Sequence, residues 1–150
     1  MKNPVLGAIM VIVLAGCAAS GTTVVLNESK ITEAKRIALD APVAPWVAQI
    51  EIRLRQAGFT VKRISRDQFA AFNEEWANYV LVLDGSYYSG WQNRCFGGGY
   101  RFEFLTAELI NLETNESVVS VSGEGYSESC PPASGTIYSD IVQAVSERWE

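Results

Sequence analysis

Residues 35–64 read KRIALDAPVAPWVAQIEIRLRQAGFTVKRI, with an apolar stretch on either side of a helix-like segment. Residues 35–40 have the length and apolar content of a strand. Pro45 suits the first turn of a helix, because the N–H that proline lacks would be unpaired there in any helix. Gly58 is typical of a helix end, and Phe59–Ile64 alternates between apolar and polar residues as a strand does. Because short links join them, these segments predict a parallel βαβ crossover.

The predicted helix carries one apolar stripe and one apolar residue outside it. The stripe has helical spacing and is expected to pack on the sheet; its residues are Val47, Ile50, Leu54 and Ala57. Ile52 points away from the stripe. Two interpretations stay open for Ile52, namely cover by the N-terminal segment of the chain or contact with a partner protein.

Further segments extend the fold towards the C-terminus. Strands are predicted at Tyr79–Tyr88, 100–112 and 117–127, and helices at Asp67–Ala77 and after Ser134 or Thr136. Val80–Leu83 is continuously apolar, which is typical of a strand buried on both faces. Val24–Leu26 is compatible with a short edge strand. We therefore predict one α+β domain: a mixed sheet of four to five strands, built from the βαβ unit and an antiparallel meander, with about three helices.

The first residues have the layout of a bacterial lipoprotein signal peptide. Lys2 gives a positive start, and Val5–Leu14 is an apolar run too short to span a membrane, which takes about 20 residues. Residues 14–17, LAGC, resemble a lipobox. We predict that residues 1–16 are cleaved and that Cys17, as the first residue of the mature protein, carries lipid, including palmitate.

This leader predicts where the rest of the chain resides. An ordinary cleaved signal peptide is the alternative, because Ala18, Ala19 and Ser20 are small as well. Alanine at position 18, rather than aspartate, favours the outer membrane, with the domain facing the periplasm. In this layout residues 17–34 form the lipidated cysteine and a tether with a possible edge strand. Residues 35–150 form the periplasmic domain.

Two further cysteines flank the predicted hairpin. Cys95 precedes its first strand, and Cys130 follows its second. A turn centred on Thr114–Asn115 pairs Tyr100 with Ser129, which brings both cysteines to the open end of the hairpin. An oxidising compartment favours a disulfide between them. A redox or metal-binding pair is the alternative, and it would need closer spacing or further ligands.

The composition narrows the functional classes. The formal net charge is −5, and residues 77–150 contain three arginines against ten acidic residues. This acidic balance argues against nucleic acid as a partner, because binding of phosphates requires clustered cations. The chain has no histidine, which removes the usual general base and the commonest metal ligand. We therefore predict no metal, no cofactor and no catalytic residue.

One loop combines residue types that are common at binding hot spots. Its aromatic and arginine residues are Tyr87, Tyr88, Trp91, Arg94 and Phe96. They are predicted to form a surface for a partner protein. The alternative is that these aromatic side chains close the end of the core, and the sequence favours neither.

Five segments, in chain order, match one family pattern. They are KRIALD at 35–40, LRQAG at 54–58, FTVKRISRDQF at 59–69, ANYVLV at 77–82 and AELINLETNESV at 107–118. The pattern resembles that of envelope lipoproteins with a TolB N-terminal-domain-like fold, which include the curli secretion channel family and the lipoprotein activators of penicillin-binding proteins. The resemblance implies a domain used for binding and assembly, without catalytic residues. The chain is too short for the long hairpins of a secretion pore.

The predicted function is therefore a membrane-anchored, non-catalytic module that binds another envelope protein during envelope assembly or secretion. The first alternative is an enzyme acting on cell wall or glycan through paired carboxylates, which the hairpin supplies in number. These acids are Glu103, Glu108, Glu113, Glu116, Glu124 and Glu128. The second alternative is a passive structural lipoprotein. The sequence leaves the oligomeric state open.

Overall fold

The structure, a computed structural model, describes residues 19–65, 76–88, 95 and 97–150. The strands are β1 (Thr22–Val25), β2 (Arg36–Asp40), β3 (Thr60–Ile64), β4 (Tyr79–Tyr87), β5 (Arg101–Asn111) and β6 (Glu116–Tyr126), and the helices are α1 (Val47–Gln56) and α2 (Ile137–Ser146). The six strands form one mixed sheet in the order β1-β6-β5-β4-β2-β3. The edges of the sheet are therefore β1 and β3.

The predicted count of four to five strands and about three helices is wrong. The sheet has six strands, and the described ranges contain two helices. All four side chains of β1 are exposed, so this strand has no buried face and its sequence shows no clear alternation. The helix predicted at Asp67–Ala77 falls mostly on residues 67–75, which lie outside the described ranges.

The predicted βαβ unit is present. β2 pairs in parallel with β3, and it also pairs in parallel with β4 on its other side. The apolar stripe of α1 faces the sheet, because Val47, Ile50 and Leu54 are fully buried. The helix ends where expected: Gly58 has a φ of 91°, a left-handed conformation that glycine adopts without strain. Ile52 lies outside the stripe and is 48% exposed.

The β5–β6 hairpin closes differently from the prediction. Asn111 pairs with Glu116, so the loop contains four residues and is centred one position earlier than predicted. The side-chain oxygen of Asn111 accepts hydrogen bonds from the backbone N–H groups of Glu113, at 2.9 Å, and Thr114, at 3.3 Å. Asn115 completes the loop with a φ of 56°. The Asn111 side chain thus starts the turn early.

This turn changes the register along the whole hairpin. Arg101 pairs with Tyr126, so the predicted pairing of Tyr100 with Ser129 is wrong. A β-bulge in β5 also inserts one extra residue between Phe102 and Leu105. Strict alternation would put these two side chains on opposite faces, whereas the bulge allows both to be buried.

Both helices cover the same face of the sheet and enclose the main core. Its largest fully buried side chains are Trp46, Tyr138, Phe102, Ile37, Leu39, Ile50, Leu54, Leu81, Leu83, Leu105, Leu109 and Ile137. The edge of the Trp46 ring contacts Phe102, with ring centroids 5.5 Å apart. A smaller cluster on the other face is formed by Ala38, Ile64 and Val80. In the part of the chain described, no helix has the length and apolar character needed to cross a membrane.

Part of the segment predicted as a tether packs against the domain. Ala19 is fully buried, its N–H donates to the Tyr126 carbonyl at 2.7 Å, and its carbonyl accepts from the Thr136 N–H at 2.6 Å. β1 then pairs with β6 in antiparallel fashion. Further along, Ile31 forms a bridge with Trp149. The segment from residue 19 onward is thus integral to the fold.

Candidate functional site

A disulfide joins Cys95 and Cys130, as predicted from the sequence, with Cα atoms 4.7 Å apart. Next to it, the Gly99 N–H donates to the Ser129 carbonyl at 3.1 Å. The cross-link therefore holds the segment entering β5 against the segment leaving β6. The backbone that carries any surface at this end of the hairpin is therefore fixed by a covalent cross-link.

The structure separates two of the residues proposed as a partner surface. Tyr87 packs on the main core and contacts the Tyr100 ring, with centroids 5.3 Å apart. Tyr88 instead lies against the guanidinium group of Arg101, with the Arg101 Cζ 4.6 Å from its ring centroid. Tyr87 thus fits the core-closing interpretation, and Tyr88 fits the surface interpretation. Trp91, Arg94 and Phe96, like the lipidation candidate Cys17, fall outside the described residues.

A groove opens beside Tyr88, with a volume of about 450 Å³. We call it the Arg101 groove, and its lining residues are Ser20, Thr22, Tyr88, Arg101, Phe102, Glu103, Gly123, Glu124 and Gly125. Arg101 precedes the core-facing Phe102 in β5, so its side chain points to the other face of the sheet. Its guanidinium also approaches the ring of Tyr126, 5.4 Å from the centroid. Two aromatic faces therefore hold this cation in place.

The charges in the groove are mixed. Glu103 and Glu124 line it together with Arg101, and the Ser86 hydroxyl donates to the Glu103 carboxylate at 2.7 Å. The β-bulge in β5 includes Glu103 and therefore sets where this carboxylate lies. The groove offers carboxylate acceptors, guanidinium donors and aromatic faces side by side, a combination that suits a polar partner surface. Within the described ranges, no group of three or more acidic or cysteine side chains could hold a metal ion.

Arg101 and Tyr126 are not among the site residues predicted from the sequence. The two are 25 positions apart, and they become neighbours only through the pairing of β5 with β6. The predicted register places them out of line by two residues, which hides the contact. The cysteine pairing nevertheless indicates that the two residues are close. Arg101 follows Cys95 by six positions, and Tyr126 precedes Cys130 by four.

Comparison with known proteins gives a match in fold but not in sequence. No protein-family profile matches the chain, and no curated protein matches it. Solved structures do match, among them two of PelC dodecamers from Paraburkholderia phytofirmans. The fold resembles that of PelC.

The two PelC structures align over nearly their entire length. One, a single-residue variant, has a TM-score of 0.53 and 20% sequence identity, and the alignment covers 85% of this chain and 97% of that chain. The other has a TM-score of 0.52 and 19% identity, with 87% and 99% covered. At this level of identity the likeness concerns the fold alone.

Proposed function

We propose that this protein is a non-catalytic accessory module of the bacterial envelope, which associates with copies of itself and binds another envelope protein. The observation that carries the proposal is the alignment over 97% and 99% of two PelC chains that form dodecamers. Because chains with this fold form dodecamers in both structures, the likeness supports self-association and a role in assembly. The resemblance to TolB N-terminal-domain-like lipoproteins supports the same role.

The proposed location is the periplasmic side of the outer membrane. Its support is the order of positive charge, short apolar run and LAGC at residues 14–17. The disulfide between Cys95 and Cys130 agrees with an oxidising compartment. Lipid on Cys17 would supply the anchor, because two or more acyl chains give stable attachment to a bilayer.

The Arg101 groove is the proposed docking site for the second envelope protein. Tyrosine and arginine are enriched among residues that dominate binding energy, and Tyr88 and Arg101 hold each other in a defined geometry. A preformed surface loses little conformational entropy on binding. The groove is therefore better suited to binding than most of the surrounding surface.

In-cell crosslinking with mass spectrometry tests this proposal. A photo-reactive residue at position 86, whose native side chain contacts Glu103 of the groove, should enrich one envelope protein. Tyr88→Ala with Arg101→Ala should reduce that yield at least about tenfold. Arg36→Ala, an exposed arginine on β2, is the matched control and should leave the yield unchanged. Failure to enrich any protein would favour a passive structural lipoprotein.

A second candidate function has one observation in its favour, since Glu103 and Glu124 line the same groove. Paired carboxylates are the catalytic groups of most glycoside hydrolases. If the protein acts on cell-wall glycan, the purified chain should release soluble fragments, and Glu103→Gln or Glu124→Gln should abolish the release. Absence of turnover by the native chain, with partner capture intact, would exclude this candidate.

A further inference from the structure

The two edges of the sheet carry opposite charge. At the β3 edge, β3 and the side of α1 that faces it contribute three basic residues and one acidic residue, a net charge of +2; they are Arg55, Lys62, Arg63 and Glu51. The Glu51 carboxylate accepts from Arg55 at 2.8 Å and from Arg63 at 2.6 Å. Burial raises the pKa of Glu51, but the hydrogen bonds from both arginines outweigh it and hold the pKa below its usual range.

The β1 edge is acidic. β1, its neighbour β6, the helix α2 and its C-cap residue contain four acidic residues, which are Glu116, Glu124, Asp140 and Glu147. Two cations bind backbone carbonyls beside them, Lys30 at Glu147 and Arg148 at Asn27, which leaves a net charge of −2. A second groove, of about 210 Å³, runs between α2 and β1. Asp140 and Glu147 line it, together with Thr23 of β1. The acidic side chains of α2 therefore flank the edge strand directly.

The β1 edge also exposes apolar side chains. Val24 is 51% exposed and Leu26 is 56% exposed. An exposed edge strand with apolar side chains is a common site of association between chains. Ile52 is 48% exposed as well, but helical spacing puts it opposite the buried stripe, on the outer face of α1.

We propose that copies of this chain associate head to tail, with the acidic β1 edge of one copy docked on the basic β3 edge of the next. The occupant of each edge is a second copy, because the two edges of one molecule are complementary in charge, and the β1 edge combines its charge with exposed apolar residues. Since the edges lie at opposite ends of the sheet, the contact is heterologous, the type that generates rings or filaments. The inference rests on the proposed self-association and specifies the surfaces that mediate it.

The first measurement is the mass of the assembly. The full chain, extracted in mild detergent, is analysed by native mass spectrometry and sedimentation, and raising the salt from about 50 mM to about 500 mM should shift it towards monomer. A basic-edge variant, Lys62→Glu with Arg63→Glu, changes that edge from +2 to −2. It should weaken association at least about tenfold, because like charges then face each other.

An acidic-edge variant is the counterpart: Glu124→Lys, Gln143→Lys and Glu147→Lys change that edge from −2 to +3. It too should be monomeric alone. Mixing the two variants should restore assemblies in which they alternate, because each altered edge then meets a complementary one. Glu113→Lys with Thr114→Lys, in the exposed β5–β6 loop, is the matched control and should assemble as the native chain does.

The possible results distinguish the edge-to-edge contact from the more general proposal that the chain associates with itself. A native chain that is monomeric at every concentration would contradict self-association itself. A native assembly that both edge variants leave unchanged, or a mixture that fails to reassemble, would contradict only the edge-to-edge contact. If the basic-edge variant fails to fold, Thr60→Glu with Lys62→Glu tests the same edge and leaves the pair between Glu51 and Arg63 intact.

Discussion

The Glu128 carboxylate accepts a hydrogen bond from the backbone N–H of Ser139, in the first turn of α2, at 2.7 Å. Its second oxygen accepts from the Tyr138 N–H at 3.1 Å. Thr136, at the N-cap position, makes no side-chain capping bond to the helix backbone. A residue in the loop after β6 therefore satisfies two backbone donors that the helix itself leaves unpaired, and its negative charge lies at the favourable end of the helix dipole.

Removing this cap should destabilise the fold. We expect Glu128→Ala to lower the free energy of unfolding by about 1 kcal/mol, the usual effect of losing an N-cap acceptor. Glu128→Gln should lose less, because an amide oxygen still accepts one of the bonds. Urea titration followed by circular dichroism measures both values. Glu113→Ala, in the exposed hairpin loop, is the control, and an equal loss there would contradict the capping role.

The space around Gly85 in β4 is too tight for a side chain without a loss of stability. A Cβ at this position would lie 3.0 Å from Leu105 Cδ1, 3.2 Å from the Phe104 carbonyl oxygen and 3.3 Å from Trp46 Cζ2. Gly85→Ala should therefore cost about 1–3 kcal/mol of stability through overpacking. Ser122→Ala, on an exposed position of β6, should change stability by less than about 0.5 kcal/mol. If overpacking is the cause, Leu105→Val should recover part of the loss in the double variant.

The disulfide is expected to stabilise the domain considerably. It closes a loop with a sequence separation of 35, for which the chain-entropy model gives about 3–4 kcal/mol. Cys95→Ser with Cys130→Ser should lower the free energy of unfolding by about that amount. A thiol reductant should lower the unfolding midpoint of the native chain and leave that of the variant unchanged. Equal midpoints for the two chains without reductant would refute the prediction.

Tyr138 should make the fold sensitive to alkali. Burial raises the pKa of Tyr138 above its usual range, and the nearby Glu128 carboxylate raises it further. The folded chain therefore keeps this proton at a pH where the unfolded chain releases it, so stability is complete below about pH 10 and falls as the pH rises further. Tyr138→Phe should reduce this fall between about pH 8 and about pH 11, as measured by urea unfolding.

Part of the alkaline sensitivity should persist in that variant. Burial also raises the pKa of Tyr79, with a smaller contribution from the Glu33 carboxylate. The double variant Tyr79→Phe with Tyr138→Phe should therefore depend on pH less than either single variant does. An unchanged slope in the double variant would show that other groups cause the loss.

The parts of the fold that the sequence predicts are those with strong local signals. Pro45 and Gly58 bracket α1, and its stripe has helical spacing, so the βαβ unit follows from residues close together in the chain. The apolar run in β4 likewise predicts a strand buried on both faces, and Val80 and Leu81 are fully buried. In these segments local preference and tertiary packing agree.

The parts that the sequence misses or leaves open depend on contacts between distant residues. Val24–Leu26 is compatible with an edge strand, but β1 becomes one because β6 pairs with it, and nothing in TTVV requires it. The hairpin register depends on the Asn111 side chain starting the turn and on two register shifts further along the strands. The Arg101 groove depends on that register, because the register brings Arg101 beside Tyr126. A prediction that misplaces the turn therefore also misses the groove.

The burial of Ala19 constrains how the protein would sit on a membrane. Ala19 is hydrogen-bonded to Tyr126 and Thr136, and it follows Cys17 by only two residues. Two residues of fully extended chain span at most about 7 Å. A lipid on Cys17 would therefore keep Ala19, and with it the domain, within that distance of the lipidated cysteine. The end of the molecule that carries Ala19 and the cross-linked loops would rest on the headgroups, and the domain would stand in one orientation instead of swinging freely. Neighbouring copies would then share one orientation relative to the membrane, with their sheet edges at the same height above the bilayer.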